Sequence, residues 1–149
     1  MENKLLNEQV LEQVRDVFKE LKQPVQVLFF GSSKTACDYC EDTVQLLKEV
    51  TALSDKLGLS EYDLDVDTEL AKQYRIDKAP GIVLAGKDGE QIIDYGVQYS
   101  GIPAGHEFGS LIQDLVLVSG RDSGLDQKTR AYLAGLDKPV HLQVFVTPT

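Results

Sequence analysis

Cys37-Asp38-Tyr39-Cys40 contains the only two cysteines of the 149-residue chain. The dense apolar run VQVLFF at residues 25–30 precedes it, and a segment with helical spacing of apolar residues follows it. A run of this kind, rich in Val and Phe, predicts a central strand that is buried on both faces. The sequence therefore predicts a strand, a polar loop and a helix, with a Cys-X-X-Cys pair where the loop meets the helix.

The placement of the two cysteines predicts redox chemistry. The N-terminus of a helix carries a partial positive charge and unpaired N–H groups, which lower the pKa of a nearby thiol and make it a nucleophile. A second cysteine one turn further on can attack the mixed disulfide that forms. We therefore interpret Cys37 as the exposed attacking residue and Cys40 as the buried resolving residue.

Three other interpretations of the pair compete with this one. Two cysteines three apart are half of a zinc site, but a structural zinc site takes four ligands. The only histidines, His106 and His141, are distant in sequence, so no metal is predicted. An inert buried pair and an iron–sulfur cluster bridging two subunits are the minor alternatives.

Length and composition indicate a soluble globular domain. The chain is 42% hydrophobic and 26% charged, without an apolar run long enough to span a membrane. A net charge of −9 argues against nucleic acid or an anionic membrane as partner. The N-terminus lacks the features of a signal peptide, so we expect a cytoplasmic location, where a lone cysteine pair is more often catalytic than structural.

Apolar periodicity predicts the elements of a mixed α/β fold. In chain order they are a helix over residues 7–21, a strand over 25–30, a helix over 40–57 capped by Gly58, a strand over 62–66, a short helix over 69–74 capped by Asp67 or Thr68, a strand over 81–85, its hairpin partner over 91–97 and a helix that begins near His106. The βαβ half gives parallel strands and the hairpin gives antiparallel ones. We expect a mixed four-stranded sheet with helices on both faces.

Residues 1–120 resemble a thioredoxin-fold unit in the glutaredoxin-like arrangement, which is a three-layer sandwich. The resemblance is carried by the Cys-X-X-Cys motif, by Ala79-Pro80 before the third strand, and by the hairpin and last helix. The chain is more closely similar to the protein disulfide oxidoreductases of thermophilic archaea and bacteria, which contain two such units in tandem, each with its own Cys-X-X-Cys. The stretches that carry this similarity are residues 75–80, 101–108 and 144–149.

The resemblance implies a thiol–disulfide oxidoreductase that acts on protein disulfides. It implies no bound cofactor, because the redox-active disulfide Cys37–Cys40 carries the electrons. The implied partners are protein disulfide or dithiol substrates and a thioredoxin-reductase-like enzyme that recycles the pair. In this fold Pro80 is cis beside the cysteines, so that Ala79 and Pro80 offer a backbone edge to an extended substrate. Tyr39 has the place of the tyrosine in glutaredoxin-type motifs and is expected to contact substrate.

Two charged residues are candidates for tuning the pKa of Cys37. Asp38 stands where the related motifs usually have proline, and a carboxylate there disfavours a neighbouring thiolate. We therefore expect a less acidic Cys37 and a more reducing disulfide. Lys34 would favour the thiolate if it lies close, although a solvated surface lysine fits the same position.

An internal repeat accounts for the end of the chain. Residues 21–30 (LKQPVQVLFF) are echoed by residues 136–145 (LDKPVHLQVF), and a helical segment precedes each. We interpret residues 121–149 as the opening helix and strand of an incomplete second thioredoxin-like unit. Its apolar strand, over 140–146, is expected to pair with another strand, in the same chain or across a homodimer. A chance likeness of two apolar strands that follow proline is the alternative.

Two other functions are compatible with the sequence. A redox-inactive thioredoxin-fold unit could serve as a docking module. A glutathione-dependent glutaredoxin is the other alternative, but glutathione carries two carboxylates and its site needs basic groups. Lys34 and Lys78 are the obvious candidates for that role.

Overall fold

The computed structural model describes residues 4–147 and contains four strands and five helices in that range. In chain order they are α1 (Glu8–Phe18), β1 (Val25–Gly31), α2 (Cys40–Thr51), β2 (Leu57–Asp63), α3 (Thr68–Tyr74), β3 (Gly81–Asp88), β4 (Gln91–Ser100), α4 (His106–Gly120) and α5 (Gln127–Ala134). The strands form one sheet in the order β2-β1-β3-β4. The predicted α/β class with a mixed four-stranded sheet is confirmed.

The pairing of the strands follows from their connections. β1 runs parallel to β2, with Val25 opposite Leu57, because the intervening α2 returns the chain to the same edge of the sheet. β3 is antiparallel to β1 and forms a hairpin with β4. The hairpin ladder is interrupted by a bulge next to Leu84 and Ala85.

Three layers explain why β1 is apolar along its whole length. Val25, Val27 and Phe29 belong to a core cluster with residues of α1, α2 and α4. Leu28 and Phe30 belong to a second cluster, which includes Ala71 and Tyr74 of α3. Because successive residues of a strand point to opposite faces, both faces of β1 are covered and each position is apolar.

The boundary between α2 and β2 differs from the prediction. α2 ends at Thr51, and β2 begins at Leu57 instead of Tyr62. Gly58 is therefore not a helix cap but a strand residue opposite Gln26. Leu57 continues the apolar spacing of α2, yet its burial arises from pairing with Val25, which local periodicity does not reveal.

Other boundaries differ by smaller amounts. α1 ends at Phe18 and not at Leu21, and Asn7 caps its start by accepting a hydrogen bond from Val10 N at 2.9 Å. β3 and β4 both extend further than predicted, to Asp88 and Ser100. In residues 4–147 no helix combines the length and the apolar character that crossing a membrane requires.

The C-terminal segment contains the predicted helix but not the predicted strand. α5 forms behind Asp126, whose Oδ1 accepts a hydrogen bond from Thr129 N at 2.8 Å. Residues 140–146 form no strand, because none of the four strands in the described chain lies beside them. Their apolar side chains are exposed instead, Phe145 to 88%. Pro148 and Thr149 of the similar closing stretch lie outside the described residues.

Candidate active site

Three chain segments meet at one edge of the sheet. The end of β1 at Gly31 lies opposite Asp63, the last residue of β2. Phe30 lies opposite Gly81, the first residue of β3. The cysteine-bearing loop after β1, the acidic turn after β2 and the Ala79-Pro80 segment before β3 are therefore neighbours, although they are distant in sequence.

The two cysteines form a disulfide across a tight turn. The Cα atoms of Cys37 and Cys40 are 5.4 Å apart, and Cys40 N donates a hydrogen bond to Cys37 O at 3.3 Å. Both residues are half-buried, so the structure corrects the prediction of one exposed and one buried cysteine. The bond between them holds both sulfurs at the same boundary between protein and solvent.

The two sulfurs nevertheless differ in their surroundings. Cys40 packs against the larger core cluster, and a Cβ built on Gly31 would lie 3.7 Å from Cys40 Sγ. Among the described residues, Cys37 does not belong to that cluster. Cys40 is therefore on the inner side of the pair and Cys37 on the outer side.

The start of α2 is fixed by a side chain within the helix. Tyr39 is the N-cap residue and makes no side-chain cap. Its carbonyl oxygen accepts two hydrogen bonds from the buried Thr43, from the backbone N at 2.9 Å and from Oγ1 at 2.5 Å. The helix thus begins at Cys40, one turn after Cys37, and its positive end lies beside the disulfide.

Asp65 anchors the loop that precedes the cysteines. Its Oδ2 accepts hydrogen bonds from Ser32 Oγ at 2.7 Å and from Lys34 N at 3.0 Å. Ser32 Oγ in turn accepts a hydrogen bond from Thr35 N at 2.9 Å. The Ser32 hydrogen bond, more than the other contacts, holds the pKa of Asp65 below its ordinary value. Asp65 was not a predicted site residue; the signal was the DLDVD sequence directly after the second strand.

Asp63 and Asp67 hold Asp65 itself in place. Asp63 Oδ1 accepts a hydrogen bond from Asp65 N at 2.8 Å and a longer one from Ser33 N at 3.4 Å. Asp67 Oδ2 accepts a hydrogen bond from Asp63 N at 2.8 Å. The turn after β2 is therefore closed by its own carboxylates before it contacts the cysteine loop.

The Ala79-Pro80 peptide bond is cis, as the resemblance implied. Pro80 is buried, and its carbonyl oxygen accepts a hydrogen bond from Gly101 N at 2.9 Å. Ala79 lines a cleft of about 570 Å³ together with Ala36, the neighbour of Cys37, and with Lys72 and Lys78. The structure thus brings the predicted substrate-contacting backbone to the same cleft as the redox loop.

The other predicted site residues are on the surface. Tyr39 is 58% exposed, and Asp38 is exposed beside it. Lys34 is exposed too, and its positive charge lowers the pKa of Asp65. Lys34 therefore has an acidic neighbour, which the sequence did not reveal. Within residues 4–147, no three side chains of His, Cys, Asp or Glu are grouped so that they could hold a metal ion.

Comparison with known proteins places this site in a structural context. No protein-family model matches the chain. The chain is 28% identical to a protein disulfide oxidoreductase from Aeropyrum pernix K1, with a TM-score of 0.73 over 91% of this chain and 58% of that one. It is 26% identical to the NTD_N/C domain of alkylhydroperoxide reductase AhpF from Enterococcus faecalis V583, with a TM-score of 0.76 over 89% and 62%.

Curated relatives are longer than this chain. The alkyl hydroperoxide reductase protein AhpF from Staphylococcus aureus NCTC 8325 is 28% identical over 145 residues, which are 97% of this chain and 25% of the relative. The chain therefore spans about a quarter of the length of the curated relatives it matches. The sheet order, the Cys-X-X-Cys disulfide and the cis proline agree with the resemblance that the sequence predicted. The chain is a thioredoxin-fold unit with a Cys-X-X-Cys pair, similar to the thioredoxin-fold protein disulfide oxidoreductases.

Proposed function

We propose that the chain catalyses thiol–disulfide exchange on protein disulfides through the Cys37–Cys40 pair. The observation that carries the proposal is the disulfide itself, which joins two half-buried cysteines at the start of a helix and beside an open cleft. A thiolate at the positive end of a helix is stabilised and is a good nucleophile and leaving group. The cleft gives a polypeptide access to it.

The exchange proceeds in two steps that conserve electrons. In the reduced protein the Cys37 thiolate attacks a substrate disulfide, forms a mixed disulfide and releases one substrate thiolate. The Cys40 thiolate then attacks Cys37 Sγ, which releases the second substrate thiolate and forms the Cys37–Cys40 bond. Two electrons pass to the substrate. A thioredoxin-reductase-like partner would return two electrons and complete the cycle.

The roles of the two cysteines follow from their surroundings. Cys40 lies against the core cluster and near Gly31, so an incoming protein cannot reach it as easily as Cys37. We therefore assign the first attack to Cys37 and the resolving attack to Cys40. No bound cofactor takes part in this cycle.

Substrate contacts are assigned to Tyr39, Ala79 and Pro80. Tyr39 presents an exposed ring next to Cys37, and aromatic side chains of this kind are common in binding surfaces. The Ala79-Pro80 segment borders the cleft, where an extended substrate can pair with its backbone. Asp38 is assigned to tuning the thiolate, with a smaller contribution from Lys34, whose charge is shared with Asp65.

The relatives suggest two further features. Similarity to the AhpF proteins of alkyl hydroperoxide reductases favours a substrate that is itself a redox protein, and a role in cell redox homeostasis in the cytoplasm. We also propose that residues 1–120 form the redox unit and that 121–149 are the opening helix and strand of a second thioredoxin-like unit. The repeat, the formation of α5 and the exposure of residues 140–146 support this division.

A glutathione-dependent activity is the second candidate, because the cleft is lined by Lys72 and Lys78, two cations suited to the carboxylates of glutathione. Lys72 is engaged with Glu69 at 2.8 Å, which weakens this option. Electron sources separate the candidates: glutathione with glutathione reductase should support turnover only in a glutaredoxin.

Reduction of insulin disulfides by dithiothreitol tests the main proposal. The wild type should accelerate the reaction, Cys37→Ser should abolish the acceleration, and Cys40→Ser should accumulate a mixed disulfide that is visible by mass spectrometry. Ser110→Ala, an exposed change far from the site, is the matched control. A wild type no faster than dithiothreitol alone would favour the docking module and overturn the proposal.

A further inference from the structure

The loop between β1 and the redox turn has little structure of its own. Residues 32–36 (SSKTA) are polar or small and lie largely at the surface. A loop of this composition has many accessible conformations, and ordering it costs conformational entropy. The hydrogen bonds that hold it come from the turn after β2, chiefly from one oxygen atom, Asp65 Oδ2.

That oxygen receives donors from both ends of the loop. Ser32 Oγ donates to it at 2.7 Å and Lys34 N at 3.0 Å, and Thr35 N is then tied to Ser32 Oγ. The hydrogen-bonded segment ends two residues before Cys37. Because so few rotatable bonds separate Thr35 from Cys37, the anchored loop limits where Cys37 can lie.

Asp65 is itself rigidly connected to the sheet. Leu64 N donates to Gly31 O at 2.9 Å, which extends the pairing of β1 and β2 past the last strand residue. Asp63 Oδ1 then holds Asp65 N at 2.8 Å. The position of the Asp65 carboxylate is therefore determined by the core of the fold and not by the loop that it binds.

We propose that Asp65 is a positioning residue for Cys37: its carboxylate fixes the loop of residues 32–36 so that Cys37 is presented at the start of α2. The proposal rests on the proposed function and adds a residue to it. A nucleophile held in its reactive geometry gains rate because the ordering cost is met before the substrate binds. Loss of the anchor should therefore slow the attack of Cys37 and weaken the stabilisation of its thiolate by the helix end.

Two substitutions separate the anchor from the charge of Asp65. Both donors reach one oxygen, so the amide oxygen of Asp65→Asn can still accept them, whereas Asp65→Ala removes the acceptor. Both variants lose the same negative charge, and their difference isolates the hydrogen bonds. Asp126→Asn is the matched control, because Asp126 also accepts a backbone hydrogen bond, from Thr129 N, but at the remote start of α5.

The experiment measures the alkylation rate of Cys37 in the reduced Cys40→Ser background across a pH series, together with the melting temperature. We expect Asp65→Asn and Asp126→Asn to stay within about twofold of the parent and Asp65→Ala to react about five- to tenfold more slowly at neutral pH. The pH midpoint of Asp65→Ala should lie above that of Asp65→Asn. Ser32→Ala should reproduce part of the loss, and the double variant with Asp65→Ala should lose less than the sum.

Some outcomes would overturn the proposal. Equal rates and equal midpoints in Asp65→Ala and Asp65→Asn would contradict it, and so would a lower melting temperature without a change in the pH profile. Alkylation reads the cysteine directly and needs no protein substrate. Failure of the insulin assay would therefore leave this test intact, and the two proposals fail separately.

Discussion

Asp38 is the residue in which this redox motif departs most from related ones. Its exposed carboxylate directly follows Cys37 in the turn that the disulfide closes. A negative charge beside the sulfur raises the free energy of the thiolate relative to the thiol. The reduced form is then less stabilised, and the pair becomes a stronger reductant.

Asp38→Pro should make the disulfide more oxidising. The change removes the carboxylate, so the pKa of Cys37 should fall and the reduction potential should rise, by on the order of 30 mV, which corresponds to about a tenfold change in the equilibrium constant. Equilibration with a glutathione or dithiothreitol buffer measures the potential. Asp38→Asn separates the charge from the ring of proline. An unchanged or lower potential in Asp38→Pro would exclude this role of Asp38.

Residue identity and spacing were enough to predict the cysteines and Pro80, but not Asp65. Cys37 and Cys40 lie in one turn, and the cis Ala79-Pro80 bond follows from a recognisable motif. Asp65 acts across a gap of 31 residues to Lys34, through a side chain whose orientation depends on the pairing of β1 with β2. A local pattern contains no information about such a contact, so DLDVD resembles any acidic turn.

Among the elements, the end of α4 is bound to the connection between α1 and β1 by one buried hydroxyl. Ser119 Oγ accepts hydrogen bonds from Lys22 N at 2.8 Å and Gln23 N at 3.0 Å, and it donates to Gln23 O at 2.7 Å. Ser119 is fully buried. A buried backbone N–H that loses its partner retains the full cost of its desolvation.

Ser119→Ala should destabilise the fold without affecting the cysteines. Two backbone donors lose their acceptor in a buried place, so we expect the free energy of unfolding to fall by about 1–3 kcal/mol. Urea denaturation measures the change, and Ser110→Ala, exposed on the same helix, should leave the midpoint almost unchanged. Equal midpoints for the two variants would show that Ser119 is not needed as an acceptor.

A second connection between elements should appear as a dependence of stability on pH. Partial burial of Glu49 in α2 would raise the pKa of its carboxyl, but hydrogen bonds from Gln45 and from the backbone of Leu5 and Leu6 outweigh it and leave the pKa below the ordinary 4.5. The carboxylate therefore stabilises the folded state fully above about pH 4.5, and this contribution is lost as the pH falls through the lower folded pKa.

Glu49→Gln should remove that contribution and flatten the pH dependence. Because the site is close to solvent, we expect a loss of about 0.5–1 kcal/mol at pH 7 and a smaller difference from the wild type near pH 3. Denaturation at a series of pH values measures both. Glu12→Gln, an exposed change on α1, is the control. A difference that stays constant from pH 7 to pH 3 would contradict the assignment to the carboxylate.

The elements also show where periodicity stops being informative. Leu53 and Leu57 continue the apolar spacing of α2, so the helix was predicted to be too long. Leu57 belongs instead to β2, because its burial comes from Val25 on the neighbouring strand. Parallel pairing is a contact between segments far apart in the chain, and strand boundaries set by it are the least accessible to local patterns.

At the scale of the whole molecule, the C-terminal segment is unlike the rest. α5 contains no buried residue, and the apolar side chains of residues 140–146 are exposed, Leu142 to 86% and Val144 to 84%. The repeat equates this stretch with β1, whose residues are buried on both faces. An apolar segment with this pattern tends to add to the edge of a sheet.

The connection between the redox unit and this segment determines where a shortened chain can end. Arg121 donates to Val118 O at 2.7 Å, to Pro24 O at 2.8 Å and to Lys87 O at 3.2 Å. A cut at Gly120 would remove these contacts and destabilise the redox unit for a reason unrelated to the segment. A chain that ends at Gly124 retains them.

The full chain should associate through residues 140–146, and the chain that ends at Gly124 should not. We expect the elution volume of the full chain in size exclusion to decrease as its concentration rises, because the exposed strand finds a partner in a second copy. The shortened chain should elute as a monomer with an unchanged melting temperature and unchanged Cys37 alkylation. Leu142→Lys with Val144→Lys in the full chain is the matched control, since it keeps α5 but opposes strand addition with charge. If both chain lengths elute alike at every concentration, the segment does not mediate association, and its apolar character requires a partner other than a second copy of this chain.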